Sequence, residues 1–354
     1  MTAVDQVLSL VRPDILALTA YSSARKESKG GRVWLDANEN PETPSAHKPL
    51  LNRYPEPQPS ELVAQLAALY SVTPAQVLVT RGSDEGIDLL LRTFCRAGQD
   101  AILITPPTYG MYVVAAGIQG ARTVTVPLVR NTNFALDADA VLRAVTPDVK
   151  IVFLCSPNNP TGGLLDRATV LSLVRALAGR AVVAVDEAYV DFAGQPSLAR
   201  EIGANPNLIV LRTLSKAFGL AGARVGTTIA DPAVIAVLQK VIAPYPVPTP
   251  VLEAALAALS PDGLAASRES VATVVAERGK LAAALGKLSA VQHVWPSDAN
   301  YLLVEVADSA KTMAAGRSAG IIWRDRSKDV PNTIRITVGT AAENSATLEV
   351  LSRV

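Results

Sequence analysis

Hydrophobic and polar positions change period several times along this chain. Between residues 76 and 230, short β-branched runs alternate with longer stretches whose apolar positions recur every three or four residues. The short runs are "QVLVT" (76–80), "AILIT" (101–105), "KIVFLC" (150–155), "AVVAV" (181–185) and "LIVLR" (208–212), with "RVGTTIA" (224–230) as a further strand. "DEGIDLLLRTFC" (84–95) and "RATVLSLVRALAG" (167–179) read as helices. Strand and helix in alternation predict an α/β fold whose central sheet is mostly parallel.

The flanks differ. The opening residues, up to "GRVWLDANENP" (31–41), read as an arm followed by a short strand and a loop. "NRYPEPQPSEL" (52–62) ends in a helix start, with Ser60 as the expected N-cap and an apolar helical pattern through Tyr70. Four prolines in "VIAPYPVPTPVLEAAL" (241–256) mark a boundary. Long Ala-rich helices follow, then "NYLLVEV" (300–306) and "TIRITVG" (333–339) as strands of a smaller α/β domain. The expected division is 1–45 for an N-terminal arm and part of the small domain, 46–245 for a large domain and 246–354 for the small C-terminal domain.

At 354 residues the chain exceeds the length at which one core stops growing, which agrees with two domains. A hydrophobic share of 49% with 18% charged residues suits a soluble protein with a large Ala- and Val-rich interior. Lys plus Arg number 33 against 32 Asp plus Glu, so no electrostatic footprint for nucleic acid or an anionic membrane exists. No apolar run approaches the roughly 18 residues that span a bilayer. The N-terminal stretch mixes acids into its apolar positions, unlike a signal peptide. Cys95 and Cys155 each sit in apolar surroundings and read as buried free thiols. His47 and His293 neither flank a nucleophile signature nor form a cluster with metal-ligand spacing, so no metal site is expected. Catalysis must find its acid and base elsewhere.

The polar residues that follow each central strand narrow the search. "RGSDEG" follows the first run, "PPTYG" the second, "SPNNPTGG" the third, "DEAYVDF" the fourth and "TLSKAFGLAG" the fifth. Ligands of open α/β sheets bind outside the carboxyl ends of the strands, so these five ends describe one pocket floor. Ser83 and the amides after it open a helix and would direct unsatisfied N–H groups at an anion. Arg224 supplies a bidentate fork to the same anion, with the Thr213 and Ser215 hydroxyls nearby. No nucleotide-loop pattern accompanies this cradle, so the phosphate belongs to something smaller. Asp186 ends a wholly apolar strand, where an unpaired carboxylate costs several kcal/mol. It is either a helix cap or salt-bridge partner, or the counter-ion of a cationic ring nitrogen. Tyr189 brings a phenol to that place and Asn159 an amide. Tyr109 offers a flat face, for stacking or for packing. With Lys216 these are the parts that pyridoxal phosphate chemistry needs: a Schiff-base lysine and an acid facing the pyridinium nitrogen.

"SPNNPTG", "DEAY" and "SKAFGLAG", in this order, resemble the fold-type-I pyridoxal-phosphate aminotransferases. "LTAYSSAR", "WLDANENP", "NRYPEPQP", "RGSDEGIDLL", "PPTYGMY", "VIAPYPVPTPV" and "IRITVGT" are similar to the histidinol-phosphate aminotransferases within them, from about Val11 to Val338. The resemblance implies a large domain with a mostly parallel sheet, a smaller α/β domain and pyridoxal 5'-phosphate as cofactor. It implies amino-group transfer between glutamate/2-oxoglutarate and histidinol phosphate/imidazole-acetol phosphate in histidine biosynthesis. Lys216 would hold the cofactor and shuttle the proton, with Asp186 on the ring nitrogen. Asn159 and Tyr189 would meet the phenolic oxygen, and Tyr109 would stack on the ring. The amides of Ser83, Asp84 and Glu85, with Thr213, Ser215 and Arg224, would take the phosphate. Tyr54 would reach the phosphate of the neighbouring subunit in a homodimer. Arg335 and Arg324, with Tyr21 and Asn38, are associated with the substrate. Departures are Ala223, where a larger aliphatic is usual, and Trp323 before Arg324, where an aliphatic is usual. The same scaffold also serves broad-range aromatic aminotransferases, threonine-phosphate decarboxylases and cofactor-binding regulators. The last are disfavoured because no DNA-binding segment precedes the arm.

Overall fold

The structure, a computed structural model, describes residues 2–21, 33–43 and 51–354. Two short helices open it, α1 (Ala3–Leu8) and α2 (Pro13–Ala17). Then come α3 (Ser60–Tyr70), β1 (Val77–Thr80), α4 (Gly82–Phe94), β2 (Ala101–Ile104), α5 (Met111–Gln119), β3 (Arg122–Thr125) and α6 (Ala138–Ala144). The central portion continues with β4 (Val149–Cys155), α7 (Arg167–Ala176), β5 (Val182–Asp186), β6 (Leu208–Thr213), β7 (Gly226–Ile229) and α8 (Pro232–Val241). Beyond it lie α9 (Thr249–Leu259), α10 (Pro261–Leu285), β8 (Val291–Val294), β9 (Tyr301–Val306), α11 (Ser309–Ser318), β10 (Arg324–Asp325), β11 (Thr333–Thr337) and α12 (Ala341–Leu351).

Seven strands form the main sheet in the order β1-β7-β6-β5-β4-β2-β3. β7 runs antiparallel to both its neighbours, and the pairs from β6 through to β3 are parallel. The six expected central strands are all present. Their near-continuous apolar character follows from burial on both faces. Val183 and Val185 pack into one core with Leu208 and Val210, while Val182 and Ala184 join Ile209 and Leu211 in the core on the opposite face. Parallel strands so arranged all end on one side, which gathers the loops after β1, β2, β4, β5 and β6.

A second, antiparallel sheet has the order β10-β11-β9-β8 and its own core around Leu302, Val304, Ile334 and Ile336. Leu281 and Leu285, at the end of α10, belong to that core, whereas Val247, Ala255 and Leu259 pack with the core of the main sheet. Val7, Leu10 and Val11 likewise pack against the main sheet.

Several expectations need correction. Ser60 is the first residue of α3 rather than its cap; its amide donates to Glu56 Oε2 at 2.8 Å, a carboxylate at the positive end of the helix. Val33 to Leu35 form no strand, and Val33 and Leu35 stand 77% and 88% exposed. The edge strands β3, β8 and β10 were not expected, because half-exposed "RTVT" and "VQHV" carry no apolar run. His47 lies outside the described residues. His293 sits on β8 with its ring edge-on to Trp295 at 4.6 Å. Both cysteines are free and buried, and burial pushes the Cys95 thiol up to about 12.

Candidate active site

A cavity of about 550 Å³ lies over the carboxyl ends of the main strands and is closed on its far side by β10 and β11. The loops named above bring Ser83, Asp84, Tyr109, Asn159, Asp186, Tyr189, Thr213, Ser215, Lys216 and Arg224 to its wall, and the smaller sheet contributes Arg324, Arg326 and Arg335. No group of His, Cys, Asp and Glu among the described residues is arranged to hold a metal ion. No helix among them is long and apolar enough to cross a membrane.

At one end, α4 begins without a side-chain cap, so its first amides keep their unsatisfied N–H groups. Close approach of three segments builds this end. Gly82 has φ of 75°, and a Cβ there would stand 2.6 Å from Arg224 Nη2. A Cβ on Gly226 would lie 2.2 Å from the Gly82 carbonyl carbon and 2.4 Å from the Ser83 nitrogen. Glycine at both positions lets the helix start, β7 and the Arg224 guanidinium share one small volume. Arg224 Nη2 pairs with Asp84 Oδ2 at 3.1 Å, and its Nη1 reaches Ser215 Oγ at 3.3 Å. The Thr213 hydroxyl donates to Ser215 Oγ at 2.9 Å and accepts from the Ser215 amide at 3.1 Å. The outcome is a compact set of hydroxyls, amides and one guanidinium, suited to a phosphate.

Asp186 marks the floor. It is 2% exposed, and burial lifts its carboxyl to about 6 despite two hydrogen bonds that favour the anion. Those bonds come from the Tyr112 hydroxyl to Oδ2 at 2.9 Å and from the Ala188 amide to Oδ1 at 3.1 Å. No arginine among the described residues pairs with it, which disfavours the salt-bridge alternative. Its neighbour Glu187 faces the other way, where it meets Arg212 at 3.3 Å and accepts from the Leu198 amide. Arg212 also pairs with Asp191 at 2.6 Å and lies over the Tyr70 ring. One strand end thus splits two carboxylates between the site and a buried structural ion cluster.

Tyr112 was not among the expected residues. "PPTYGMY" contains it, yet only the first turn of α5 turns its hydroxyl onto Asp186, and a buried tyrosine reads as core until that partner is known. Its ring stacks on Phe153 at 4.7 Å, which fixes the hydroxyl in place. Tyr109 crosses it edge-on at 5.6 Å and donates its own hydroxyl to Asp84 Oδ1 at 3.0 Å.

Lys216 opens into the cavity with its amine 5.7 Å from the centre of the Tyr189 ring. The surrounding walls and then the Arg335 and Arg224 guanidinia hold its pKa below that of a free lysine. That environment favours the neutral, nucleophilic amine. Tyr189 is nearly buried and crosses Tyr301 edge-on at 5.1 Å. Arg335 Nη1 donates to Asn159 Oδ1 at 2.5 Å, and its guanidinium lies 5.1 Å from the Tyr301 ring. Arg324 has no ion-pair partner among the described residues; Asp329 pairs with Arg326 instead.

The remaining expected residues lie elsewhere. Glu85 does not line the cavity, and its carboxylate folds back onto Arg81 at 2.5 Å. Tyr21 is 72% exposed and stands outside the cavity wall. Asn38 and Tyr54 share a separate concavity with Pro248 and Pro250, where Tyr54 stacks on Tyr245 at 4.6 Å. Of the two departures, Trp323 is buried with its indole N–H directed at Thr347 Oγ1 at 3.4 Å, and neither it nor Ala223 lines the cavity.

Known proteins agree with this geometry. Residues 22–351 match the family model described as aminotransferase class I and II. Histidinol-phosphate aminotransferase from Stenotrophomonas maltophilia is 48% identical over 357 residues, covering 99% of this chain and 97% of that protein. The Escherichia coli protein of the same name is 46% identical over 349 residues, covering 98% and 97%. Histidinol-phosphate aminotransferase from Sinorhizobium meliloti, solved in complex with pyridoxal-5'-phosphate, aligns with a TM-score of 0.75 at 26% identity, covering 85% of this chain and 82% of that one. With nearly half of its residues shared along its whole length, the chain belongs to the class I and II aminotransferases, and within them to the histidinol-phosphate aminotransferases.

Proposed function

We propose that this enzyme moves an amino group between L-glutamate/2-oxoglutarate and L-histidinol phosphate/imidazole-acetol phosphate, on pyridoxal 5'-phosphate, as a step of histidine biosynthesis. The observation that carries the reading is a lysine of depressed basicity in a cavity that also holds a buried carboxylate, a phosphate cradle and three arginines. The cradle fits the cofactor's phosphate, because the uncapped start of α4 and the glycine-made gap beside Arg224 leave donors converging on one small volume.

In this reading Ser83, Asp84, Thr213, Ser215 and Arg224 hold the phosphate, and Lys216 holds the aldehyde carbon. Asp186 would face the ring nitrogen, Asn159 and Tyr189 would face the phenolic oxygen, and Tyr109 would cover the ring. When bound, the cofactor supplies an electron sink that lets the Cα–H bond of the substrate ionise. Once the substrate amine has replaced it on the aldehyde carbon, Lys216 Nζ would take that proton and return it to the neighbouring carbon, and burial with two flanking guanidinia would keep the released amine neutral. Asp186 keeps a positive charge on its partner nitrogen, and Tyr112 holds the carboxylate in orientation. Arg335 and Arg324 receive the substrate anion; arginine serves carboxylate and phosphate alike through its planar fork.

Tyr54 stands half exposed, away from the cavity of its own chain. This placement supports a homodimer in which Tyr54 completes the partner's phosphate site. The cytoplasm is the compartment that two buried free thiols favour. Steady-state assays with 2-oxoglutarate decide the substrate: histidinol phosphate should be a far better donor than phenylalanine, with no carbon dioxide released from threonine phosphate. Preference for phenylalanine, or decarboxylation, would overturn the assignment.

A further inference from the structure

Resting on the reaction above, we propose that Arg326 is a third substrate-anion residue, and that it favours the phosphate-ended substrate over glutamate. Arg324 pairs directly across the ladder from Arg335, so two like charges stand opposite each other, an arrangement that destabilises an antiparallel pair. Arg326 follows Arg324 by two residues, and its amide donates to the Thr333 carbonyl at 2.9 Å, continuing the same ladder. Side chains two apart share a face of a strand, and all three arginines line the cavity. Asp325, between them, does not line it, and its carboxylate accepts from the Ser327 amide at 2.8 Å.

Charge on the cavity wall is lopsided. Among the described residues of the wall, Lys216, Arg224, Arg324, Arg326 and Arg335 face only Asp84 and Asp186. Asp84 pairs with Arg224, and Asp186 is engaged by Tyr112 and Ala188. On the side of the small sheet no carboxylate of the wall balances the three arginines. Arg326 pairs through its Nε with Asp329 Oδ2 at 3.0 Å, with its side chain only 15% exposed. The buried Nε of Arg335 has no hydrogen-bond partner. An unsatisfied donor on Arg335 and three clustered guanidinia set against the single Asp329 carboxylate call for an anion of more than one charge. A phosphate dianion can accept from several forks at once, whereas a single carboxylate is satisfied by one.

The test compares Arg326→Gln, Arg326→Lys and Asp329→Asn with the wild-type holoenzyme. Arg326→Gln should raise KM for histidinol phosphate by about tenfold or more while KM for glutamate moves far less and kcat stays within about twofold. Arg326→Lys should recover part of the loss, since the charge returns without the fork. Asp329→Asn, which removes the ion pair but keeps the guanidinium, should leave KM for histidinol phosphate close to wild type. Calorimetric binding of inorganic phosphate to the holoenzyme should weaken in Arg326→Gln, a readout independent of turnover. Equal changes in both KM values, unchanged KM and phosphate binding in Arg326→Gln, or an Asp329→Asn variant that reproduces Arg326→Gln would overturn the inference. Wild-type protein that fails to turn over histidinol phosphate would refute the reaction instead, and the phosphate titration would still decide whether Arg326 binds the anion.

Discussion

Asp186→Asn should make the cofactor-free protein more stable at neutral pH. The wild-type carboxyl sits at about 6 in the fold against an ordinary value of 3.8, with burial as the main cause. A carboxyl raised on folding lends its full support only below the unfolded value and loses it as pH climbs through the folded one. Across that interval the fold gives up about 3 kcal/mol, between roughly pH 4 and pH 7. Asparagine at this position can still accept from the Tyr112 hydroxyl, but its amide then meets the Ala188 N–H, and one hydrogen bond worth about 1 kcal/mol is lost. The balance leaves the variant ahead by about 2 kcal/mol near pH 8, and level with or behind wild type near pH 4. Denaturant unfolding of both cofactor-free proteins at several pH values measures the difference, and all other titrating groups cancel in it. Parallel stability curves for the two proteins would refute the reasoning, because they would mean that Asp186 titrates alike in the folded and unfolded chains. Turnover by the same variant should fall steeply, so that the site holds a charge the fold would be better without.

Lys216→Ala should abolish turnover while the cofactor still binds, and borohydride should no longer trap it on the chain; near-normal activity would remove Lys216 from its role. Tyr112→Phe removes a hydrogen bond to a buried carboxylate worth about 1.5–3 kcal/mol, which raises the pKa of Asp186. The acid limb of its kcat/KM profile should therefore move to higher pH by about one to two pH units, and an unmoved limb would make Tyr112 a packing residue only. Gly226→Ala forces a methyl group onto the backbone at the start of α4, so cofactor titration should show markedly weaker binding. Arg212→Gln strands the buried Glu187 carboxylate and takes the partner from half-buried Asp191, and should cost about 3–5 kcal/mol in denaturant unfolding.

What could be read along the chain and what could not divide on physical grounds. Runs such as "KIVFLC" and "LIVLR" identify themselves because strands covered on both faces are apolar throughout, and the polar residues after them mark where a parallel sheet ends. Lys216, Asp186, Tyr189, Asn159 and the Ser83 and Arg224 cradle were found that way, each next to a strong strand. The edge strands β3, β8 and β10 escaped, since an edge needs only one neighbour and tolerates polar residues on its open side. Tyr112 looked like core because its partner lies 74 positions away along the chain. Arg326 drew no reading from the sequence, and only the ladder from Arg324 to Arg335 sets it on the cavity wall. The sequence alone determined the kind of fold and singled out the candidate lysine and its charged companions on the cavity wall, because those follow from local pattern and residue chemistry. Only the tertiary structure decided which carboxylate faces the site, who orients it and how many guanidinia meet there. Those depend on contacts between segments that are remote in the chain, and burial by such segments is what sets the charge and basicity of each group.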